Sequence, residues 1–371
     1  MLSATVKAAM FGGKVIILTG PRQVGKTTLS REIAETSREP YKWFNADEPD
    51  VRAFFTDITS TRLREMFGKN RLIVIDEAQR IYNIGLTLKL VADSIQNVQV
   101  IATGSSALEL AGGTNEPLTG RKWEYTLFPL SFEEMSGHTS REEEHRLLEH
   151  RLLYGYYPEV INNQGNKQKI LVSLVNSYLY KDFLALEQVR KPTLVEKLLQ
   201  ALAFQLGSEV SYNEIAQLIG ADNETVERYI NLLEKIYVIF RLGSFSRNLR
   251  NEIKRNRKIY FWDVGVRNAL INNFNPISLR NDTGALWENF LVVERMKNLH
   301  YQEIPCNRYF WRTTQQQEVD YIEERDGKLH AFEFKWSTTK KAHIPKTFLS
   351  AYPDSETMII TRENYFSFLG V

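Results

Sequence analysis

Apolar residues fall along this chain in two kinds of pattern. Three runs are short and nearly unbroken: Val15-Ile16-Ile17-Leu18-Thr19, Leu72-Ile73-Val74-Ile75 and Val98-Gln99-Val100-Ile101-Ala102-Thr103. Runs of this length suit strands of a parallel sheet buried on both faces. Helical periodicity follows the first run from Thr28 to Glu35, and another helix is expected to begin near Ala107. Trp123 to Leu127 reads as a further strand. Residues 1–135 therefore predict an α/β fold, a parallel sheet with helices on both faces.

Beyond residue 135 the period changes. Glu142 to Tyr154 is charged with Leu at helical spacing, and Ile170 to Val189 repeats similarly. The segment 136–191 is expected to be a helical lid or connector near the first sheet's ligand, ending at Lys191-Pro192. Helices follow at Thr193 to Leu206, Tyr212 to Ile219 and Glu224 to Ile236. Ser211 caps the second with Glu214 three residues on, and Gly220-Ala221-Asp222 turns into the third. With a strand from Tyr237 to Leu242, this is the outline of a winged helix-turn-helix over 192–246. The remainder, 247–371, reads as a C-terminal α/β domain. It shows a helix from Ala285 to Leu299 and a strand at Trp311-Arg312. Alternating strands Val319-Asp320-Tyr321-Ile322 and Ala331-Phe332-Glu333-Phe334-Lys335 flank a turn at Asp326-Gly327-Lys328.

Chemistry enters where the apolar runs end. The first leads into Gly20-Pro21-Arg22-Gln23-Val24-Gly25-Lys26-Thr27-Thr28, a phosphate-binding loop in its strand–loop–helix setting. Its glycines let backbone N–H groups close on phosphates, and the helix N-terminus adds the positive end of a dipole. Lys26 is placed for the β- and γ-phosphates and Thr27 for Mg²⁺, so the loop predicts binding of ATP or GTP. The second run ends in Asp76-Glu77. Asp76 at a strand tip would hold Mg²⁺, and Glu77 would polarise the attacking water. The third ends in Thr103-Gly104-Ser105-Ser106, where a polar side chain could sense the γ-phosphate or cap the next helix. Arg121 is either an arginine finger on a neighbouring subunit's nucleotide or a surface residue before its strand.

Taken together, these motifs resemble one group of bacterial and archaeal AAA-type ATPases. They are Gly-Pro-Arg-Gln-Val-Gly-Lys-Thr-Thr, Ile-Asp-Glu-Ala-Gln-Arg, Thr-Gly-Ser-Ser-Ala-Leu, and Gly-Arg ahead of Phe-Pro-Leu-Ser-Phe-Glu-Glu. Gly155-Tyr156-Tyr157-Pro158-Glu159 is similar to that group's glycine-aromatic-proline element, and the resemblance covers essentially the whole chain. It implies ATP with Mg²⁺ at Gly20 to Thr28, Asp76 and Ser105, and strengthens a nucleotide role for Arg121 beside Lys26 and Glu77. It also implies a C-terminal domain of uncharacterised function.

That domain carries a second pattern. Asp320 on one strand and Glu333-x-Lys335 on its neighbour match the PD-(D/E)xK nuclease signature. Asp320 and Glu333 would ligate Mg²⁺, Lys335 would stabilise developing negative charge, and Glu288 on the preceding helix could add a carboxylate. Period two places Glu333 and Lys335 on one sheet face. A charged hairpin edge produces the same pattern without chemistry. The family's C-terminal region is similar to nuclease folds, which implies the fold and leaves activity open.

Composition narrows the classes. At 371 residues, two or three domains are expected, and 43% hydrophobic residues suffice for their cores. The 47 Lys and Arg against 45 Asp and Glu leave +2, so any nucleic-acid surface must be local. The third helix exposes Asn223, Glu224, Glu227 and Arg228, a poor match to phosphates. Arg247, Arg250, Lys254, Arg255, Arg257 and Lys258, with Glu252 the single acid among them, form either a nucleic-acid groove or a solvated loop. Cys306 is the single cysteine, which excludes an internal disulfide. No apolar run approaches membrane-spanning length and no signal peptide is read, so a cytoplasmic protein without a membrane partner is expected. The function read from the residues is an ATP-hydrolysing AAA-type enzyme, coupling nucleotide state to a nuclease-like domain on DNA or other nucleic acid. Arg121 acting in trans would make it a homo-oligomer. The alternative is a signalling or scaffold ATPase whose C-terminal domain only binds protein or DNA.

Overall fold

The first two apolar runs and the third become adjacent parallel strands. This is the arrangement in a computed structural model that describes residues 1–105, 118–163, 165–176, 183, 192–246, 257–337 and 343–371. The helix expected near Ala107, Ser106, the end of the Ile170–Val189 helix, and Arg247, Arg250, Glu252, Lys254 and Arg255 lie outside these residues. The chain divides into two units, Met1–Phe128 with Lys235–Tyr237, and Pro129–Glu234 with Val238–Val371.

The first unit runs α1 (Leu2–Ala9), β1 (Val15–Thr19), α2 (Lys26–Thr36), β2 (Tyr41–Asn45), α3 (Pro49–Phe55), α4 (Ser60–Phe67), β3 (Leu72–Asp76), α5 (Ile84–Ser94), β4 (Gln99–Thr103) and β5 (Lys122–Thr126). Its sheet has the order β2-β3-β4-β1-β5, with every neighbouring pair parallel. β1, β3 and β4 are buried at every position, as their unbroken apolar runs require. β2 escapes sequence reading for the converse reason. It is an edge strand in which only Phe44 is fully buried, so Lys42 and Asn45 break the apolar signal.

The second unit runs α6 (Phe132–His138), α7 (Arg141–Arg146), α8 (Leu148–Tyr154), α9 (Pro158–Asn162), α10 (Lys167–Leu174), α11 (Pro192–Phe204), β6 (Glu209–Val210), α12 (Tyr212–Ile219), α13 (Asn223–Lys235), β7 (Ile239–Ser244), β8 (Arg257–Phe261), α14 (Val264–Leu270), α15 (Thr283–Tyr301), β9 (Asn307–Arg312), β10 (Glu318–Arg325), β11 (Lys328–Phe334), α16 (Lys346–Ala351), β12 (Glu356–Ile360) and α17 (Tyr365–Leu369). Its sheet has the order β12-β11-β10-β9-β7-β8-β6.

Two expectations change here. The boundary at 246/247 is not a break in the fold, because β7 pairs antiparallel with β8 and parallel with β9, Gly243 opposite Tyr309. The helices expected as a lid or connector are part of the second unit, which accords with a connector. Their anchor is Asp263, which accepts a hydrogen bond from Tyr156 N at 2.7 Å and caps α14 through Val266 N at 3.0 Å. Gly155, at φ +68°, leaves the room this needs, since a Cβ there would stand 2.1 Å from Asp263 Oδ1. The single helix expected from Glu142 to Tyr154 is broken at Leu147 into α7 and α8, which lets Arg151 fold back on Glu144 as a buried ion pair.

The long α15 is buried on every side and carries charges inward. Arg295 holds Glu323 with two bonds of 2.7 and 2.9 Å, and Lys297 holds Glu294 at 2.7 Å. Removing one partner of such a buried pair costs about 3–5 kcal/mol. This rigid helix is the frame on which Glu288 is mounted.

Candidate functional site

In the first unit, β4 lies between β1 and β3, so the three strand tips stand side by side above one edge of the sheet. The loop after β1 turns sharply. Gly20 has φ +134°, Gln23 φ +59° and Gly25 φ +99°. Gly20 is required by contact as well as by conformation, because a Cβ there would stand 2.1 Å from Leu127 O. Pro21 and Val24 point inward and anchor the loop, whereas Gln23, Thr27 and Thr28 are exposed and Arg22 is half-buried. Gly25 precedes α2 and supplies no capping side chain, which suits the helix N-terminus to an anion. Lys26 is buried and donates to Gly20 O at 2.9 Å and Pro21 O at 2.7 Å.

Thr27 and Asp76 are brought together: the Thr27 hydroxyl donates to both Asp76 oxygens, at 3.0 and 3.2 Å. A hydroxyl and a carboxylate in contact at a phosphate loop form a suitable donor set for Mg²⁺ carried on a nucleotide. Among the described residues at the third strand tip, Thr103 engages Asp76 and Glu77. Its fully buried hydroxyl donates to Asp76 Oδ1 and accepts from Glu77 N at 3.2 Å. Ser105 follows in a bend, half-buried. Glu77 sits at φ +53°, an uncommon conformation for a non-glycine residue, with Gln79 Nε2 donating to its Oε2 at 2.6 Å. At the end of β1, Thr19 Oγ1 lies 3.1 Å from the Tyr237 hydroxyl.

Arg121 is not brought to this centre. It immediately precedes β5, whose first residue pairs with Val15 at the start of β1, so it stands at the sheet edge opposite the loop. There it donates to Asp93 Oδ1 at 2.5 Å, and this contact holds the Asp93 carboxyl below its usual range. It stands away from this chain's own loop, which leaves the two readings of it, a finger on a neighbouring copy or a surface residue paired with Asp93.

The second unit holds the other cluster. The register Tyr321 opposite Phe332 sets Asp320 opposite Glu333 on one face of β10 and β11. Phe334 N donates to Asp320 Oδ2 at 2.8 Å, and Lys335 donates to Glu333 Oε1 at 2.6 Å. Glu333 Oε2 is buried without a hydrogen-bond partner. Glu288 joins them from α15. Burial, then repulsion from Glu288, pushes the Asp320 pKa well above the carboxylate range despite the attraction of Lys258. Burial also raises that of Glu333, against the pull of Lys335. Burial works against the charge on Lys335, but Glu333, Asp320 and Glu288 outweigh it and hold its pKa high.

Sequence reasoning missed three members. Lys258, read there as part of a basic surface, is 1% exposed on β8. It donates to Glu288 Oε1 at 2.7 Å and pairs with Glu318 Oε1. Tyr260 OH donates to the same Glu288 oxygen at 2.6 Å. The alternation of β10, two residues before Asp320, was the signal for Glu318; the run Ile259-Tyr260-Phe261 was the signal for β8. Among the described residues no group of three His, Cys, Asp or Glu side chains is set to hold a metal ion. The pair Asp320 and Glu333 still fits Mg²⁺, which binds through one or two carboxylates with water and phosphate completing its shell. Both carboxyls are under-neutralised here, and one has a buried oxygen without a partner.

Among the described residues no helix is long and apolar enough to cross a membrane. Residues 12–136 match the family described as AAA domain. Residues 145–277 and 283–368 match two families described as domains of unknown function, DUF8612 and DUF4143. Uncharacterised proteins of Mycobacterium tuberculosis and Mycobacterium bovis are each 29% identical over 362 residues, covering 95% of this chain and 76% of theirs. An uncharacterised protein of Haemophilus influenzae is 22% identical over 281 residues, covering 72% of this chain and 67% of its own. Among solved structures, the Thermotoga maritima RuvB Holliday junction branch migration motor is similar at a TM-score of 0.33 with 15% identity, over 65% of this chain and 88% of that one.

Proposed function

Residues 12–136 are an AAA-type P-loop domain, and from that premise we propose that the chain is an Mg²⁺-dependent ATPase governing a nuclease-like centre that acts on nucleic acid. The observation that carries the reading is the convergence of Asp320, Glu333, Lys335 and Glu288 on one sheet face. A hydrolytic ATPase would use the loop from Gly20 to Thr28 to bind the phosphates, Lys26 to neutralise them, and Glu77 to take the proton of the attacking water. Thr27 and Asp76 would hold one Mg²⁺, and Asp320 and Glu333 another. At both places the ion, when bound, polarises a phosphoryl oxygen and lowers the pKa of water. Lys335 lies beside Glu333, placed to balance negative charge building on a phosphate. A winged-helix reading of α12, α13, β7 and β8 would set the start of α13 on nucleic acid, but its exposed residues, Asn223, Glu224, Glu227 and Arg228, are too acidic to favour a phosphate backbone.

A second reading is that the C-terminal centre is idle and serves binding. It is favoured by the lysines that already pair with three of its carboxylates, Glu288, Glu318 and Glu333. Cleavage of plasmid and oligonucleotide substrates with Mg²⁺ or Mn²⁺, with and without ATP, separates the two. Glu333→Gln should abolish cleavage and leave ATP hydrolysis intact. Glu77→Gln should keep ATP bound while hydrolysis slows by about 100-fold or more, and Lys26→Ala should lose ATP binding. No cleavage under any condition favours the binding module; unimpaired hydrolysis by Glu77→Gln removes it from its role.

A further inference from the structure

Glu77 and Gln79 are two residues apart and hydrogen-bonded to each other, which a regular helical turn does not allow, since side chains at that spacing point apart. The local backbone makes the contact possible. Glu77 stands in the left-handed region, at φ 53° and ψ 38°, and a short 3-10 turn over Ala78–Arg80 follows it, with Arg80 N on Glu77 O at 3.0 Å. A non-glycine residue keeps that conformation only where its surroundings fix it. Here they do: Glu77 N donates to Thr103 Oγ1, Ala78 and Ile81 are fully buried, and Arg80 Nε pairs with Asp47 at 2.8 Å.

The contact is one-sided. Gln79 Nε2 donates to Glu77 Oε2 at 2.6 Å, while the other end of the amide, Gln79 Oε1, is buried with no hydrogen-bond partner among the described residues. The amide is thus oriented by Glu77 alone, and a buried acceptor without a donor is a cost that packing does not explain. Glu77 Oε1 also has no hydrogen bond among the described residues. We propose that Gln79 is a positioning residue for ATP hydrolysis: its amide holds Glu77 Oε2, so that Oε1 is the oxygen that takes the proton of the attacking water. The proton passes to Oε1 as the water oxygen bonds to the γ-phosphorus and the bond from that phosphorus to the leaving ADP oxygen breaks. A carboxylate free to turn presents its oxygens in many directions; one tied at Oε2 presents the other in few. The proposal rests on the reading of Glu77 as the base.

The test uses the full-length protein with Mg²⁺ and saturating ATP. Gln79→Met keeps the length of the side chain and removes the donor. Its kcat should fall about 10- to 100-fold, while ATP affinity by isothermal titration moves by less than about threefold. Gln79→His carries an N–H the same number of bonds from the backbone and should recover part of the rate. The decisive comparison is made in a Glu77→Gln background, by single-turnover release of labelled phosphate. With the base gone, Gln79→Met should change the residual rate by less than about twofold. Equal losses in both backgrounds would show that Gln79 acts through the fold and not through Glu77, and would overturn the proposal. So would an unaltered or raised kcat in Gln79→Met, or a Gln79→His protein as slow as Gln79→Met. Unimpaired hydrolysis by Glu77→Gln, or no hydrolysis by the unaltered chain, sinks the reading of Glu77 as base and the proposal with it. Melting temperatures are measured throughout. If Gln79→Met does not fold, Gln79→Glu, of the same shape and without a donor, takes its place in both backgrounds with the same outcomes expected.

Discussion

Thr103→Val tests the P-loop centre at the point where its two acids are held. The Thr103 hydroxyl is fully buried, donating to Asp76 Oδ1 and accepting from Glu77 N at 3.2 Å. Valine keeps the branched shape, so no cavity opens and the loss is confined to two hydrogen bonds, one of them to a carboxylate. A hydrogen bond to a charged group contributes about 1.5–3 kcal/mol. Each 1.36 kcal/mol or so in a barrier is about tenfold in rate, so kcat should fall about 10- to 150-fold if the bond's worth is expressed in the transition state. ATP affinity, which depends on the loop backbone and Lys26, should move by less than about threefold. Phosphate release at saturating ATP measures the first and isothermal titration the second. Thr103→Ser retains the hydroxyl and should keep most of the activity. A Thr103→Val protein with unaltered kcat would mean that Asp76 and Glu77 keep their places without it, and the reasoning would fail.

Two further outcomes follow from placement and charge. Arg121 lies at the sheet edge away from its own loop, so ATPase activity should rise faster than linearly with protein concentration, and mixing Arg121→Ala with Lys26→Ala should restore part of it. A specific activity independent of concentration in a monomer would end that role. His150 is pushed down to about 4 by burial and then by the charges of Lys167 and Arg151, from an ordinary value of 6.5. The folded chain therefore binds fewer protons than the unfolded one between these values, and stability should drop as pH falls from 6.5 towards 4. His150→Gln should flatten that slope in thermal melts; an identical slope would show that another group carries it.

The P-loop centre was legible because its chemistry is local: a turn of glycines, a lysine and a threonine must be consecutive, and strands buried on both faces must be apolar. Which polar side chain at the third strand tip takes part was not legible, since hydroxyls stand at Thr103, Ser105 and Ser106 alike and a local pattern does not say which of them meets Asp76. The C-terminal carboxylates were readable from period two. Lys258 was not, because its neighbours Arg255 and Arg257 make it look solvated. Its burial comes from the pairing of β8 with β6 and β7, set by residues up to about fifty positions away. The same long-range pairing hid the continuity of the fold across residue 246, where only local composition suggested a border. Arg121 was read as a finger on a neighbouring copy or as a surface residue, and its place at the sheet edge opposite its own loop is compatible with both.

The order β9-β7-β8-β6 bears on how this protein can be taken apart. A fragment beginning at residue 247 would keep β8 but lose both strands that flank it, and β9 would become an open edge ready to pair with any other chain. Lys258 would lose its strand's anchorage at the same cut, leaving Glu288 and Glu318 to repel each other. The nuclease-like part is thus not a cassette that recombination or a cloning boundary can move by itself. The smallest piece that could be inherited or transplanted intact carries the helices from Pro129 onward with it, since Phe132 and Tyr156 are hydrogen-bonded to Glu294 and Asp263.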